Sequence, residues 1–211
     1  MKLTDELWQD SQTNELYFWK KELEQDNLDQ RQRNVYYMSR MEGHCSLIKD
    51  FVESTDLSNK VVMDLGSGPM GFMHAVEAKK KFAVDPLMDE FEKLGYDTAA
   101  NDVISVNMKA EDIGEGFENQ IDVIFCLNSI DHHQDPQLVV DQCYKALKND
   151  GHLIILTDTR LPEQCDAYHK LPLTKEAILD WLSNFEVLEQ QVFPHGTGNP
   201  IMQFIVHAAK P

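Results

Sequence analysis

Basic residues are scarce in this sequence, which carries 19 lysines and arginines against 36 aspartates and glutamates and has a formal net charge of −17. Nucleic-acid binding draws much of its affinity from the neutralisation of phosphates, so this surface would repel DNA and RNA. No apolar run approaches the roughly 18 residues that a membrane span needs. We therefore expect neither a nucleic-acid partner nor a membrane partner.

Closely spaced cysteine pairs and an apolar leader are also lacking. The cysteines Cys45, Cys126, Cys143 and Cys165 are widely spaced and include no C-x-x-C pair. Cys126 and Cys143 lie within apolar patterns, which favours buried thiols. The first residues run straight into polar sequence and offer no signal core. These absences predict a protein of the reducing cytoplasm.

What the sequence does contain is an alternation of strands and helices. Apolar β-rich runs predict strands at 60–65, 82–85, 103–106, 121–127, 152–157, 187–193 and 201–207. Helical patterns lie between them, at 71–80, 87–94, 136–148 and 174–182. This alternation predicts a Rossmann-like, doubly wound α/β fold with a seven-stranded, mostly parallel sheet. The last strand is expected to run antiparallel, because no helix separates it from the strand before it.

Residues 1–56 have a helical pattern and are expected to form an N-terminal cap within the same domain as residues 57–211. A length of 211 residues suits one domain with a generous core. The basic run Lys79–Lys81 falls where the helix at 71–80 should end, and there it would complement the helix dipole.

The strongest local signal is a glycine loop, DLGSGPMG at residues 64–71, between the first strand and the following helix. Glycines allow unusual φ angles and a close approach of the backbone to a ligand, whose polar groups can meet helix N-terminal amides. Gly66, Gly68 and Gly71 satisfy the dinucleotide pattern G-x-G-x-x-G, with Asp85 placed as a ribose ligand. An NAD-dependent oxidoreductase is therefore one interpretation.

Two residues of the loop argue against a pyrophosphate. Pro69 has no amide hydrogen to donate, and the negative charge of Asp64 would be unwelcome beside phosphates but welcome beside a cationic ligand. The sequence also offers no second nucleotide-binding half.

With its neighbours, the loop resembles motif I of the class I S-adenosylmethionine-dependent methyltransferases, in particular the type 11-like enzymes that act on small molecules. FAVDP at 82–86, KAEDI at 109–113, IDVIFCLNSIDHHQDP at 121–136 and CYKALKNDGHLIIL at 143–156 follow in the family's order. The resemblance implies that residues 57–211 form an S-adenosylmethionine-binding methyltransferase domain, with S-adenosylhomocysteine as product.

The resemblance also implies a set of cofactor-binding residues, which are Asp64, Gly66, Ser67, Gly68, Asp85, Pro86, Glu111, Asp112, Asn128 and Ile130. The acid before the glycines would lie near the methionine amino group, and the acid ending the second strand would accept both ribose hydroxyls. The acidic pair would face the adenine amino group, and the residues after the fourth strand would border the methionine portion. Alternative roles are a turn or helix cap for Asp85, a solvated loop for the acidic pair and a turn for Asn128.

Methyl transfer from a sulfonium needs alignment of the nucleophile, and a base only where the nucleophile arrives protonated. Histidine suits that role, and the candidates are His132 and His133 after the fourth strand and His169 after the fifth. His195 is interpreted as a surface loop residue. The N-terminal helices would cover the cofactor, with Tyr36, Tyr37 and Arg40 as further candidates for its carboxylate.

A metal site is not expected. Asp131 and Asp135 flank His132 and His133, but adjacent residues rarely converge on one ion without help from elsewhere, and no H-x-x-x-H spacing occurs. The sequence thus predicts methyl transfer from S-adenosylmethionine to an oxygen or nitrogen of a small metabolite. A non-catalytic S-adenosylmethionine-binding subunit is the alternative that stands beside the oxidoreductase.

Overall fold

The computed structural model of the chain describes residues 2–25, 46–194 and 201–211. The predictions for Tyr36, Tyr37, Arg40, Cys45 and His195 lie outside these ranges. Of the remaining cysteines, Cys126 and Cys143 are buried free thiols, as predicted, and Cys165 is a partly exposed one.

The described strands form one seven-stranded sheet. They are β1 (Val61–Leu65), β2 (Lys80–Asp85), β3 (Val103–Asn107), β4 (Ile121–Leu127), β5 (Leu147–Thr159), β6 (Glu186–Pro194) and β7 (Met202–Ala209). The spatial order is β3-β2-β1-β4-β5-β7-β6, with β1 to β5 parallel and β7 antiparallel to both neighbours. The predicted sheet is confirmed. The order reverses between β1 and β4, and ligands of such sheets bind beyond the carboxyl ends of strands at that point.

The described helices are α1 (Asp5–Gln25), α2 (Ser46–Ser54), α3 (Met88–Leu94), α4 (Ile113–Gly116), α5 (Pro136–Ala146) and α6 (Lys175–Trp181). Their ends follow local chemistry. Pro136 opens α5 as predicted, and the side chain of Asp135 caps it by accepting from the N–H of Leu138. Thr174 caps α6 in the same way, and Gly95 ends α3 in a left-handed conformation.

The predicted helix at 71–80 is wrong. Two 3₁₀ turns, Gly68–Met70 and Phe72–Ala75, replace it. Gly71 is extended between them and lies against the buried carboxylate of Asp64, which accepts the N–H of Phe72 at 3.1 Å. Val76 is extended after the second turn, and Lys80 and Lys81 enter β2 instead of complementing a helix dipole.

The end of α5 also differs from its prediction. Lys148 to Gly151 belong to β5, because Leu147 already pairs with Ile121 of β4. The triplet Asn149-Asp150-Gly151 lies within this strand. Asp150 takes a positive φ of 58°, so the triplet bends the strand instead of ending the helix.

The core has two layers, one on each face of the sheet. α5 and α6 cover one face through side chains such as Val139 and Ile178. Ile48 and Phe51 of α2, Phe91 of α3 and Trp19 of α1 cover the other face. None of the described helices is both long and apolar enough to cross a membrane.

Candidate functional site

The glycine loop lies at the point where the strand order reverses, and its backbone requires glycine. Gly66 and Gly68 have φ values of 68° and 59°, which side chains disfavour. A Cβ on Gly66 would lie 2.4 Å from the Cβ of Ser129, whose hydroxyl donates to the carbonyl of Leu65 at 2.7 Å. Gly66, Ser67 and Gly68 remain partly exposed. The loops after β1 and β4 are thus in contact beneath a backbone that a ligand can reach.

Asp85, the last residue of β2, holds this loop in place. Its Oδ2 accepts the N–H of Gly68 at 3.0 Å, and its Oδ1 accepts the N–H of Leu87 at 2.9 Å. The second bond is the turn role considered as an alternative to ribose binding. Each carboxylate oxygen can accept a further hydrogen bond, so the turn role and a ribose role are compatible. Pro86 follows and is partly exposed.

Asp64 is a second buried acid beneath the same loop. Burial raises the pKa of Asp64 to about 7, and the neighbouring Asp85 adds to the rise. Burial likewise raises the pKa of Asp85 to about 6, with Glu15 of α1 adding to the rise. Because a nearby cation lowers the pKa of a carboxyl group, this pair favours a positively charged ligand. The hydroxyl of Ser67 is turned to the carbonyl of Gly68, at 3.0 Å.

The first helix lies over the loop. A Cβ on Gly68 would come 3.0 Å from Cζ2 of Trp19, and Nε1 of Trp19 donates to Oε1 of Glu15 at 2.7 Å. The hydroxyl of Tyr96, after α3, donates to the carbonyl of Trp19 at 2.6 Å. No local pattern marks Glu15 or Trp19 as site residues, because both reach the loop from about 50 residues upstream.

The acidic pair Glu111 and Asp112, predicted to face the adenine, makes no contact with the glycine loop among the hydrogen bonds of the described residues. Oε1 of Glu111 accepts the N–H groups of Gln134 and Asp135, so this side chain holds the loop before α5. Asp112 is exposed. Glu111 thus already has structural partners.

The two cofactor-binding candidates after β4, Asn128 and Ile130, differ in exposure. Asn128 is exposed, with a φ of 53°, and its N–H donates to the carbonyl of Leu156 at 2.7 Å. Ile130 is fully buried in the core layer with α5, so only its backbone could border a ligand.

The three candidate bases occupy two places. His133 is buried with its Cε1 3.4 Å from the position of a Cβ on Gly66, and its Nε2 has no hydrogen-bond partner within the described ranges. Burial lowers the pKa of His133 to about 4, so the ring is neutral near pH 7. His132 and His169 lie together nearer the surface, with ring centroids 5.0 Å apart.

A buried ionic network joins the loops on this side of the sheet. Arg160, after β5, donates from Nη1 to Asp131 at 2.8 Å and from Nη2 to Asp158 at 2.6 Å. Gln203 of β7 donates to the other oxygen of Asp158 at 3.1 Å. Sequence reasoning missed Arg160, because its partner Asp131 is 29 residues away and no short motif marks it.

A cavity of about 320 Å³ lies beside this network, and the residues that line it are Pro136, Arg160, Pro162, Leu171, Pro172, Leu173, Thr174, Ala177 and Trp181. It lies toward α5 and α6 and includes none of the cofactor candidates. Its walls are largely apolar.

Comparisons with known proteins agree with this geometry. Residues 63–155 match a family model described as a methyltransferase domain. The tRNA U34 carboxymethyltransferase of Helicobacter pylori (strain Shi470) is 32% identical over 133 residues, which cover 55% of this chain and 48% of that protein. The ubiquinone biosynthesis O-methyltransferase of Neisseria meningitidis is 26% identical over 141 residues, covering 63% and 58%. The chain thus spans about half the length of the curated relatives it matches.

Among solved structures, the N-methyltransferase NodS from Bradyrhizobium japonicum WM9 has a TM-score of 0.64 at 15% identity, over 82% of this chain and 96% of that one. At this identity the likeness concerns the fold. The matched segment runs from β1 into β5 and contains the glycine loop, both buried acids and the loop after β4. Residues 63–155 thus match a methyltransferase domain, and they lie in a fold that is similar to that of a methyltransferase of known structure.

Proposed function

We propose that the chain transfers the methyl group of S-adenosylmethionine to an oxygen or nitrogen atom of a small metabolite. The observation that carries the proposal is the convergence of Asp64 and Asp85, both buried, on a left-handed glycine turn where the strand order reverses. When bound, S-adenosylmethionine supplies a methyl group on a sulfonium that an incoming nucleophile can displace.

The side chains of the chain would bind and orient that cofactor. Asp85 would accept the ribose hydroxyls while keeping its bonds to Gly68 and Leu87, and Asp64 would lie near the ammonium group. Glycines at 66 and 68 leave room for the ligand against the backbone. Binding of a cation would ionise both acids, whose pKa values burial has raised.

α1 would exclude water from the transfer site. Trp19 covers Gly68, and the preceding segment is tied to the acceptor-side loops, since the N–H of Leu3 donates to the carbonyl of Gln134 at 2.8 Å. Leu3, Trp8 and Leu171 form a small apolar cluster across the same edge. We accordingly assign residues 1–56 to a cap over the methyltransferase domain of residues 57–211.

A proton released by the acceptor would pass to a histidine. His133 is neutral near pH 7, lies beside Gly66 and has a ring nitrogen without a hydrogen-bond partner in the described part of the chain. His132 and His169 stand nearer the surface as alternative acceptors of that proton.

The acceptor is proposed to be a small molecule. The relatives' names point both ways, since one acts on tRNA and one belongs to ubiquinone biosynthesis. A net charge of −17 disfavours a polyanion, which supports a metabolite over tRNA. The free thiols Cys126, Cys143 and Cys165 support a reducing compartment, and we propose the cytoplasm.

Calorimetry with S-adenosylmethionine, S-adenosylhomocysteine and NADH tests the cofactor. We expect both sulfur ligands to bind and NADH not to bind, and Asp85→Asn to weaken binding by at least about tenfold through loss of a charged acceptor. Asp89→Asn is the matched control, because Asp89 is exposed at the start of α3 and bonds only Asn107 in the described structure. Equal binding by both variants would refute the role of Asp85.

Incubation with S-adenosylmethionine labelled in the methyl group tests the acceptor. Label should enter the small-molecule fraction of a cell extract and leave purified tRNA unlabelled. Transfer to tRNA would overturn the metabolite proposal, and cofactor binding without transfer to any fraction would favour the non-catalytic subunit.

A further inference from the structure

The loops after β4 and β5 bring together three side chains that ligate metals. Asp131 and His132 end the short turn after β4, and His169 comes from the segment between β5 and α6. Each offers one ligand atom, and these atoms lie within 4.8 Å of one another. The expectation of no metal site considered residues that adjoin in sequence, whereas His169 reaches the pair from 37 positions away in the chain.

The other two residues that were considered for a metal site, Asp135 and His133, are engaged elsewhere. Asp135 caps α5, and His133 is turned toward the glycine loop. The three remaining donors are therefore two imidazoles and one carboxylate.

The carboxylate of Asp131 has one oxygen in reach of an ion. Its Oδ2 accepts from Arg160 at 2.8 Å, while Oδ1 has a long contact of 3.4 Å with the hydroxyl of Thr157. Oδ1 lies 3.9 Å from Nε2 of His132, about half an ångström more than the roughly 3.4 Å between two ligands of a tetrahedral ion, so a small side-chain rotation would bring both atoms to bonding distance. Although burial raises the pKa of Asp131, the pKa is lowered overall, because His132, His169 and Arg160 surround it.

A carboxylate also orients the imidazole of His169, and a second carboxylate lies near that of His132. Nδ1 of His169 lies 3.0 Å from Oδ1 of Asp166, which in turn accepts the N–H groups of Tyr168 and His169 at 2.8 Å each. Nδ1 of His132 faces Oε2 of Glu15 at 3.8 Å. An ionised carboxylate can only accept, so the bonded nitrogen of His169 carries the hydrogen and its Nε2 would be the metal-binding atom. Histidine ligands of metals characteristically have such a partner.

We propose that Asp131, His132 and His169 bind one divalent transition-metal ion, of the kind that imidazole and carboxylate donors share, such as Zn²⁺ or Co²⁺. The three acids Glu15, Asp131 and Asp166 leave local negative charge for the ion to neutralise, because the single guanidinium of Arg160 is shared with Asp158. The side chains of His132 and His169 are 20% and 27% exposed, so the ion can enter from solvent.

The ion would also have open coordination positions toward the acceptor side of the sheet. Three protein ligands leave at least one position for another donor, and oxygen is the atom such ions readily take. We infer that the acceptor is held through a hydroxyl or carboxylate oxygen. This part rests on the proposed function, whereas binding of the ion does not.

Two titrations of the chelator-treated full chain test the site. Binding of ZnCl₂ is measured by calorimetry, and binding of CoCl₂ is followed by visible absorption spectroscopy. We expect one ion per chain and a visible Co²⁺ spectrum typical of nitrogen and oxygen ligands. His169→Gln and His132→Gln should each weaken binding by at least about tenfold. Thermal melting of the metal-free variants checks that they are folded.

His152→Gln is the matched control, since His152 pairs with His207 on the sheet, at 3.0 Å, away from the cluster. It should bind the ion as the unmodified chain does. Absence of saturable binding, unchanged binding by His169→Gln, or an equal loss in His152→Gln would each overturn the site. Because S-adenosylmethionine binding is measured separately, a chain that binds the ion and not the cofactor would refute the proposed function alone.

Discussion

Oδ2 of Asp85 accepts the N–H of Gly68 at 3.0 Å, so the end of β2 fixes the conformation of the loop that follows β1. One carboxylate thereby shapes the backbone of the site and offers its remaining lone pairs to a ligand. A mutation at Asp85 is expected to change both the loop conformation and ligand binding. Mutations at Gly66 and Asp64 allow the two effects to be measured separately.

Gly66→Ala is expected to abolish cofactor binding. The added Cβ would lie 2.4 Å from Cβ of Ser129 and 2.7 Å from its hydroxyl, on a backbone with a φ of 68°. Strain and the clash together should lower the free energy of unfolding by about 2–4 kcal/mol, measured by urea denaturation. Gly95→Ala is the control, because its φ of 99° gives strain with no atom within 4 Å. A larger loss in Gly95→Ala would contradict the steric argument.

Asp64→Asn should flatten the pH dependence of stability. The folded pKa of about 7 is above the ordinary 3.8, so the stability that Asp64 contributes is fully present below pH 3.8 and is lost as pH rises through 7. Asparagine keeps an oxygen for the N–H of Phe72 and cannot ionise. The Tm of the ligand-free variant should therefore exceed that of the unmodified chain near pH 8 and approach it near pH 4.

The affinity of Asp64→Asn for S-adenosylmethionine is a second test of the role of Asp64. Loss of the negative charge should weaken binding of S-adenosylmethionine by about tenfold while the protein becomes more stable at neutral pH. Parallel Tm curves for the two proteins, or unchanged affinity, would show that Asp64 only supports the loop.

His207 should give a pH dependence of opposite sign. Burial, with His152 beside it, lowers the pKa of His207 to about 4 from an ordinary 6.5. The stability associated with its neutral form is present above pH 6.5 and is lost as pH falls toward 4. His207→Gln should melt with less acid sensitivity in that range. Phe51 packs against the rings of both His152 and His207. An unchanged slope of Tm against pH in the variant would mean that this packing does not exclude the protonated form of His207.

His133→Gln separates base catalysis from cofactor binding. With a pKa of about 4, His133 would stay deprotonated through the acid range, so the kcat of the unmodified enzyme should hold until the pH approaches 4. The variant should lose turnover by about 10²–10⁴-fold with an unchanged Kd for S-adenosylmethionine. An acid limb near 6.5 that survives in the variant would assign the base to another group.

The sequence predicted those features that local patterns encode. The boundaries of β4 at Ile121 and Leu127, the positions of α3 and α6 and the antiparallel β7 followed from periodicity and turn chemistry. The helix predicted at 71–80 is wrong, because Gly71 and Val76 are extended, which the apolar periodicity of the segment does not indicate.

The same limit applies to the candidate site. The glycine loop and Asp85 lie in recognisable motifs. The packing of Trp19 over Gly68 and the approach of His169 to His132 instead depend on contacts between distant segments. Composition and spacing do not report such contacts, so Glu15, Trp19 and Arg160 became visible only in the fold.

The buried network around Arg160 divides the acceptor side into two kinds of sequence. Asp131 and Asp158 accept from one guanidinium, and Gln203 donates to Asp158. Replacing any one of these residues would therefore leave a buried charge or polar group unpaired. Residues 161–170 lie outside that network and are mostly exposed. Substitutions in this segment should therefore disturb the buried network least, which makes it the place to introduce changes when substrate preference is to be redesigned.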